Sequence, residues 1–421
     1  MVDAPTGSGK SLSGGVLSRH KQTRTVTHTR NLIAQYEDIG SDAVYGMSHY
    51  PCALVPSVNA DSCVYSSGMQ SCPVANHCEY LKAKNKATVS QFSTCSYAYY
   101  FLSRIKDQSP DVLYLDEAHY LPDLLMSEYE IVLTQKLVEK FNCIALPKII
   151  DKVPATINNR KVASWLEHLH THIFVQLWEL ADDYDFVDQN KATQIKRLTG
   201  LMRRIDTIMN AIRNMPTMFI SFETDEGIMV TPLSSTPFFA PYFAKRAGKV
   251  IMTSATIGND KLFARLLGIS NNYEFIKVHH RFAPEEMPIY VSEDAPKLSS
   301  KSGITSYKRQ VEILEKSMIS FFGDRASSIS GLLHFASKVK THEMAELLNE
   351  YDMFRGRIFV HDEELDTQGK VNQWNDRMEK NPDTIALSWC FHTGLDAPNV
   401  DMNVVMKTPF PAIDKKQEAM F

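Results

Sequence analysis

The sequence predicts an α/β protein built from two lobes, each a parallel sheet covered by helices on both faces. Near-continuous apolar and β-branched runs recur at Arg24–Thr27, Val112–Leu115, Lys249–Thr253, Leu332–Phe335, Arg357–Val360, Thr384–Trp389 and Asn403–Met406. Runs of that kind suit strands buried on both faces, as in parallel sheets. Helical stretches such as Tyr307–Phe322 and Ser337–Tyr351 alternate with them, which is the pattern of an α/β fold. Two stretches interrupt the alternation and read as insertions. Residues 46–95 are rich in cysteine, serine and tyrosine, whereas residues 125–225 read as mainly helical. In the latter, Val162, Trp165, Leu166, Leu169, Ile173, Leu177 and Leu180 follow a helical period, as do Ile195, Leu198, Met202, Ile205, Met209 and Ile212. Phe174 and Trp178 are expected in the same core. The expected plan is a first lobe over 1–45 and 96–124, insertions over 46–95 and 125–225, a return to the first lobe over 226–257, and a second lobe over 258–421.

With 421 residues the chain is long enough for two or three domains. Its 45 basic and 49 acidic side chains leave a net charge of −4. That excludes a uniformly basic nucleic-acid glue but leaves local basic patches open. No run of 18 or more apolar residues occurs, and no basic-then-apolar leader opens the chain. A cytoplasmic protein without membrane spans is therefore expected.

Ala4-Pro5-Thr6-Gly7-Ser8-Gly9-Lys10-Ser11 is a glycine-rich loop of the Walker A type, with alanine in place of the first glycine. Its glycines let backbone N–H groups turn inward around phosphates. Lys10 can reach the β- and γ-phosphates, and the Ser11 hydroxyl can bind Mg²⁺. A chance turn before a lysine is the bland alternative. Only Met1, Val2 and Asp3 precede the loop, where a buried strand is expected, so a chain that begins late is the expectation. Further on, the apolar run Val112–Leu115 ends in Asp116-Glu117-Ala118-His119. A strand delivers its C-terminal residues to the sheet edge where ligands bind. Asp116 can hold Mg²⁺ through water, and Glu117 can orient or deprotonate an attacking water. A solvated acidic turn is the alternative, but the two motifs together point to nucleotide hydrolysis.

The P-loop, the DEAH box and Met252-Thr253-Ser254-Ala255-Thr256 resemble motifs I, II and III of superfamily 2 helicases, and they occur in family order. Thr27-His28-Thr29-Arg30 with Gln35-Tyr36 resembles motif Ia. Trp389 to Gly394-Leu395-Asp396, followed by Thr408-Pro409-Phe410-Pro411, resembles motif V and the segment after it in the XPD/DinG family. The resemblance covers nearly the whole chain. It implies two RecA-like P-loop NTPase lobes that bind ATP, the first carrying a cysteine-cluster insertion and a helical arch-like insertion. It further implies an ATP-dependent helicase or translocase on single-stranded or forked DNA, with 5′→3′ polarity, acting as a monomer. Lys10, Asp116, Glu117 and His119 would carry the chemistry, Gly394 and Asp396 would join the nucleotide site, and Ser254 and Thr256 would couple hydrolysis to movement. Thr27, Thr29 and Arg30 would grip the DNA backbone.

Cys52, Cys63, Cys72 and Cys78 are separated by ten, eight and five residues. The segment resembles the four-cysteine insertion of the XPD/DinG family, which implies ligation of a 4Fe–4S cluster. Four thiolates are what such a cluster requires. Structural zinc sites usually present C-x₂₋₄-C pairs, and none occurs here; zinc and unliganded thiols remain the alternatives. Cys95, Cys143 and Cys390 read as small buried hydrophobes.

Lys82, Lys84 and Lys86 beside Tyr80 could track a phosphate backbone. So could Lys191, Lys196, Arg197, Arg203, Arg204 and Arg213 in the second insertion, although a solvated helix face explains them equally well. His168, His170 and His172 lie at i, i+2 spacing, which does not share a helix face, and they are expected to be ordinary histidines. The family's arginine-bearing motif VI (QxxGRxxR) has no counterpart before Phe421, nor has the adenine-reading segment before Ala4. Truncation at both ends is the expectation. An RNA-directed DEAH helicase and a hydrolysis-defective remnant that binds nucleotide or DNA are the rival readings.

Overall fold

The structure is a computed structural model of the chain. It describes all residues except 6, 64–71, 151–152, 183–188, 271, 280–288, 297, 299–301, 336, 363, 366, 390–399 and 407–421. The described residues form two compact units, one before and one after residue 281.

In the first unit, strands β1 (Val2–Asp3), β2 (Thr23–Thr27), β3 (Asp42–Val44), β4 (Phe92–Ser96) and β5 (Val112–Asp116) alternate with helices α1 (Lys10–Ser18), α2 (Arg30–Asp38), α3 (Glu79–Val89) and α4 (Tyr97–Leu102). Every residue of β2 and β5 is buried, as expected of strands covered on both faces. Side-chain caps fix where helices begin. The Thr29 hydroxyl accepts from Leu32 N at the start of α2, and Ser96 Oγ accepts from Tyr99 N at the start of α4.

After α5 (Leu121–Glu128), the chain forms β6 (Ile131–Thr134), α6 (Gln135–Phe141), the long helices α7 (Ala155–Asp182) and α8 (Gln189–Asn214), and strands β7 (Phe219–Thr224) and β8 (Gly227–Pro232). Here β6, β8 and β7 make a three-stranded antiparallel sheet. The stretch expected as a second insertion is a pair of long helices beside a small sheet, and that sheet runs on to Pro232. On α7 the expected apolar positions Val162, Trp165, Leu166, Leu169 and Ile173 are buried. Phe174 and Trp178 are not core residues: they are 51 % and 67 % exposed. They follow directly on Ile173 and Leu177 of the apolar stripe and lean on each other, with ring centroids 6.4 Å apart. His170 Nε2 pairs with Asp206 Oδ1 of α8 at 3.2 Å, an ordinary cross-hairpin contact.

The chain then returns through β9 (Lys249–Ser254), α9 (Asp260–Leu266) and β10 (Ile276–Lys277). The large sheet has the order β10-β1-β9-β5-β2-β4-β3, and all its pairings are parallel. The strand expected before the glycine-rich loop is therefore present. Although β1 is only two residues long, it is held on both sides, by β9 and β10. Its pairing with β10 also places residues 258–279 with the first unit.

An aromatic cluster packs α4 beneath this sheet. Phe243 is fully buried, stacks on Tyr100 at 5.4 Å and meets Tyr97 edge-on at 6.3 Å. Phe243→Ala is expected to cost about 3–5 kcal/mol of unfolding free energy, read as a lowered urea midpoint.

The second unit has its own parallel sheet. Strands β11 (Gly331–His334), β12 (Ile358–Val360), β13 (Ile385–Ser388) and β14 (Met402–Val405) lie in the order β12-β13-β11-β14. Helices α10 (Ile304–Phe322), α11 (Lys338–Asn349) and α12 (Thr367–Lys380) accompany it. Val311, Met318, Leu333, Leu348 and Phe354 form its main core, and Trp374 closes a smaller cluster with Leu332 and Ala386. Among the described residues, no helix is long and apolar enough to cross a membrane.

Candidate nucleotide site

The parallel sheet gathers four motif loops on one edge. Strands β1, β9, β5 and β2 are successive neighbours, so the loops that follow them emerge side by side. Register makes the match local. Asp3 lies opposite Ser254, and Asp116 opposite Thr253. Ala4 N donates to Ser254 O at 2.9 Å, tying the glycine-rich loop to the end of β9.

Within the loop, Gly7 and Gly9 take left-handed conformations (φ 78° and 82°), with open space where a Cβ would stand. A side chain at either position would be strained, and the space is what a phosphate cradle needs. Gly9 caps α1, so the loop runs directly into a helix N-terminus. Lys10 Nζ donates to Ala4 O at 2.9 Å and to Pro5 O at 3.2 Å, arching over the loop. Tyr114 of β5 donates to Lys10 O at 2.7 Å and contacts Ser13 Oγ at 2.7 Å, joining α1 to the acidic strand. Thr6 lies outside the described residues.

Asp116 is 2 % exposed. Its Oδ1 accepts from Thr253 Oγ1 at 3.1 Å and Glu117 N at 3.0 Å, while Oδ2 accepts from Tyr36 OH at 2.9 Å. Burial raises its pKa, and the Tyr36 hydrogen bond opposes that rise. Ser11 lies beside the same Tyr36 phenol. Glu117 adopts a left-handed conformation (φ 51°), which costs a non-glycine residue about 1–2 kcal/mol. Its carboxylate lies 3.3 Å from His119 Nδ1. That hydrogen bond is the largest influence holding Glu117 below the usual carboxylate range, and Lys10 adds to it.

His119 Nδ1 also lies 2.7 Å from Ser254 Oγ, which in turn accepts from Thr256 N at 3.1 Å. The DEAH histidine and the Ser254-Ala255-Thr256 loop are thus one hydrogen-bonded unit. Tyr120 leans on His119 at 3.9 Å and stacks on the exposed His28 at 4.2 Å. The structure brings Ala4, Pro5, Gly7–Ser11, Asp116, Glu117, His119, Ser254 and Thr256 to one edge. Tyr36, Tyr114 and Thr253 join them; the sequence reading includes them in its motif segments but assigns none of them a part in the nucleotide site. Tyrosines carry no motif signal of their own, and only sheet order and helix packing reveal their partners.

Motif Ia divides. Arg30 is exposed and Thr29 half-buried, but Thr27 is fully buried at the end of β2. Its side chain packs inside the sheet, so the expected strand contact by Thr27 is corrected. Several basic residues of the second insertion are engaged internally. Arg204 donates to Ser127 O and Glu130 O, Arg213 pairs with Glu167, and Lys196 donates to Asp61 O. Lys86 pairs with Asp42 at 2.6 Å. Gly394 and Asp396, with Cys390, Leu395 and Thr408–Pro411, lie outside the described residues.

The described residues do not show the cluster that the cysteine resemblance implies. Cys52, Cys63, Cys72 and Cys78 are each partly buried. Among the described residues, no group of three or more His, Cys, Asp or Glu side chains is placed to hold a metal ion. Four thiols suit iron–sulfur or zinc ligation chemically, but they are not assembled here. Thiols have no attraction for one another, and the free energy of metal binding is what folds such segments.

No protein-family model matches the sequence, and no curated protein does. Solved structures do. An "XPD_Helicase" structure is 14 % identical at a TM-score of 0.52, over 100 % of this chain and 83 % of the other. An "XPD_APO" structure is 15 % identical at a TM-score of 0.53, over 100 % and 82 %. The chain has their fold. Its two units with parallel sheets are the two RecA-like lobes of that fold, and at this identity the likeness speaks for architecture alone.

Proposed function

We propose that the chain is an ATP-dependent motor of a nucleic-acid helicase, tracking on single-stranded DNA. One observation carries this reading: the glycine-rich loop, the DEAH box and the Ser254-Ala255-Thr256 loop lie on neighbouring strand ends and are joined by hydrogen bonds. Lys10 and backbone amides of the glycine-rich loop bind the β- and γ-phosphates. Ser11 and Asp116 offer hard oxygen donors that fit Mg²⁺, which when bound neutralises phosphate charge. Glu117 accepts the proton of the attacking water as its oxygen bonds to the γ-phosphorus, and the β,γ-bridging oxygen leaves with ADP.

The link from Glu117 through His119 to Ser254 and Thr256 couples that chemistry to movement of the loops. Arg30 and Thr29, at the start of α2, are the first-lobe contacts proposed for the strand. Ser254→Ala removes the hydroxyl at 2.7 Å from His119. It is expected to reduce strand separation about tenfold while phosphate release stays near wild type, measured on a fluorescent fork alongside a phosphate assay. The reading is tested by ATP hydrolysis with single-stranded DNA, duplex DNA and RNA. Stimulation by single-stranded DNA supports it, and stimulation by RNA alone replaces it with an RNA-directed motor.

A further inference from the structure

Tyr36 is fully buried on the inner side of α2. Its ring lies edge-on to Phe92 of β4 at 6.3 Å, and its Cε1 stands 3.5 Å from where a Cβ on Gly14 of α1 would be. Three elements therefore hold the ring in place. A buried tyrosine needs a partner for its hydroxyl, and three others in this lobe use backbone carbonyls. Tyr97 donates to Asp116 O, Tyr100 to Tyr242 O and Tyr114 to Lys10 O. Tyr36 instead donates to a carboxylate oxygen, Asp116 Oδ2, at 2.9 Å. Ser11 lies beside the same phenol. The hydroxyl thus binds one of the two side chains that the proposed function assigns to Mg²⁺ and lies near the other.

We propose that Tyr36 is a positioning residue of the metal subsite, holding the Asp116 carboxylate in its rotamer and aligned with Ser11. The inference rests on the motor reading above. An ionised carboxylate only accepts hydrogen bonds and has about four acceptor positions. Thr253 Oγ1 and Glu117 N occupy Oδ1, and Tyr36 occupies one position on Oδ2. By that count one acceptor position on Oδ2 remains for a metal-bound water. The helix that carries Tyr36 begins at Arg30, capped by Thr29. The proposed strand contact and the metal subsite therefore share one nine-residue rigid element.

The test is calorimetric binding of a non-hydrolysable ATP analogue to wild type and Tyr36→Phe, with Mg²⁺ and with metal chelated. Phenylalanine keeps the ring and its packing, and a cooperative thermal melt checks that the variant is folded. The expected result is a loss of about ten- to a hundredfold in Mg²⁺-dependent affinity, with metal-free affinity unchanged. Equal affinity of the two proteins with Mg²⁺ overturns the assignment. So does an equal loss with and without metal, which marks a structural tyrosine. A wild type that binds no nucleotide overturns the motor reading and this inference with it, and so is distinguishable from failure of the Tyr36 assignment alone.

Discussion

Lys10→Ala is expected to lower ATP turnover about a thousandfold or more, the scale on which a lost cation at a transferring phosphoryl group acts. The ammonium donates to Ala4 O and Pro5 O across the glycine-rich loop. No other lysine or arginine in the Ala4–Ser11 segment can replace it. Its side chain is only half-buried, at the first residue of α1, so truncation opens no core cavity. The effect on stability should stay within about 0.5 kcal/mol, as for surface positions generally. Phosphate release and a urea melt on the same preparation separate the two effects. Loss of turnover with an unchanged melt is the expected pair, whereas unchanged turnover removes Lys10 from the site.

Glu117→Gln is expected to lower turnover by about 10²–10⁴, the usual contribution of a positioned general base, while nucleotide binding is retained. Glutamine keeps the size of the side chain and its left-handed backbone setting but cannot accept a proton. The wild-type carboxylate is held below its ordinary range, first by the His119 hydrogen bond and then by nearby positive charge including Lys10. It is therefore ionised at neutral pH, and the acid limb of the Glu117-dependent turnover should fall below the ordinary glutamate value. The linkage has a definite sign. A depressed folded-state pKa contributes stability above the unfolded value, and that contribution is lost as pH falls through the folded value. Asp116 runs the other way. Burial raises its pKa, so its contribution is present below the unfolded value and lost as pH rises through the folded one. Adjacent carboxylates pushed in opposite directions are a mark of divided roles at one site.

Much of this site is legible in the amino-acid sequence. Strands β2, β5, β9, β11, β12, β13 and β14 fall on the apolar runs; β2, β5 and β13 are buried along their whole length and so show no polar alternation. The motif residues are legible as types at spacings, and the parallel sheet explains why they meet. The rest is set by packing between distant segments. Tyr36 and Asp116 are 80 residues apart, and nothing in either neighbourhood announces the other. The β6-β8-β7 sheet is hidden because its short strands flank two long helices whose periodicity dominates the stretch. Trp178 departs from expectation because large aromatics are usually buried, while the helical phase sets it beside the buried stripe. The cysteines show the reverse case. Their ten-, eight- and five-residue spacing resembles a ligand set, yet among the described residues no such group is assembled.

The most direct measurement is phosphate release from ATP by the purified chain with Mg²⁺, with and without single-stranded DNA, against Lys10→Ala as control. The account predicts hydrolysis that rises when single-stranded DNA is added and is absent from the variant. A rate that is zero under both conditions, or identical in wild type and variant, would contradict it.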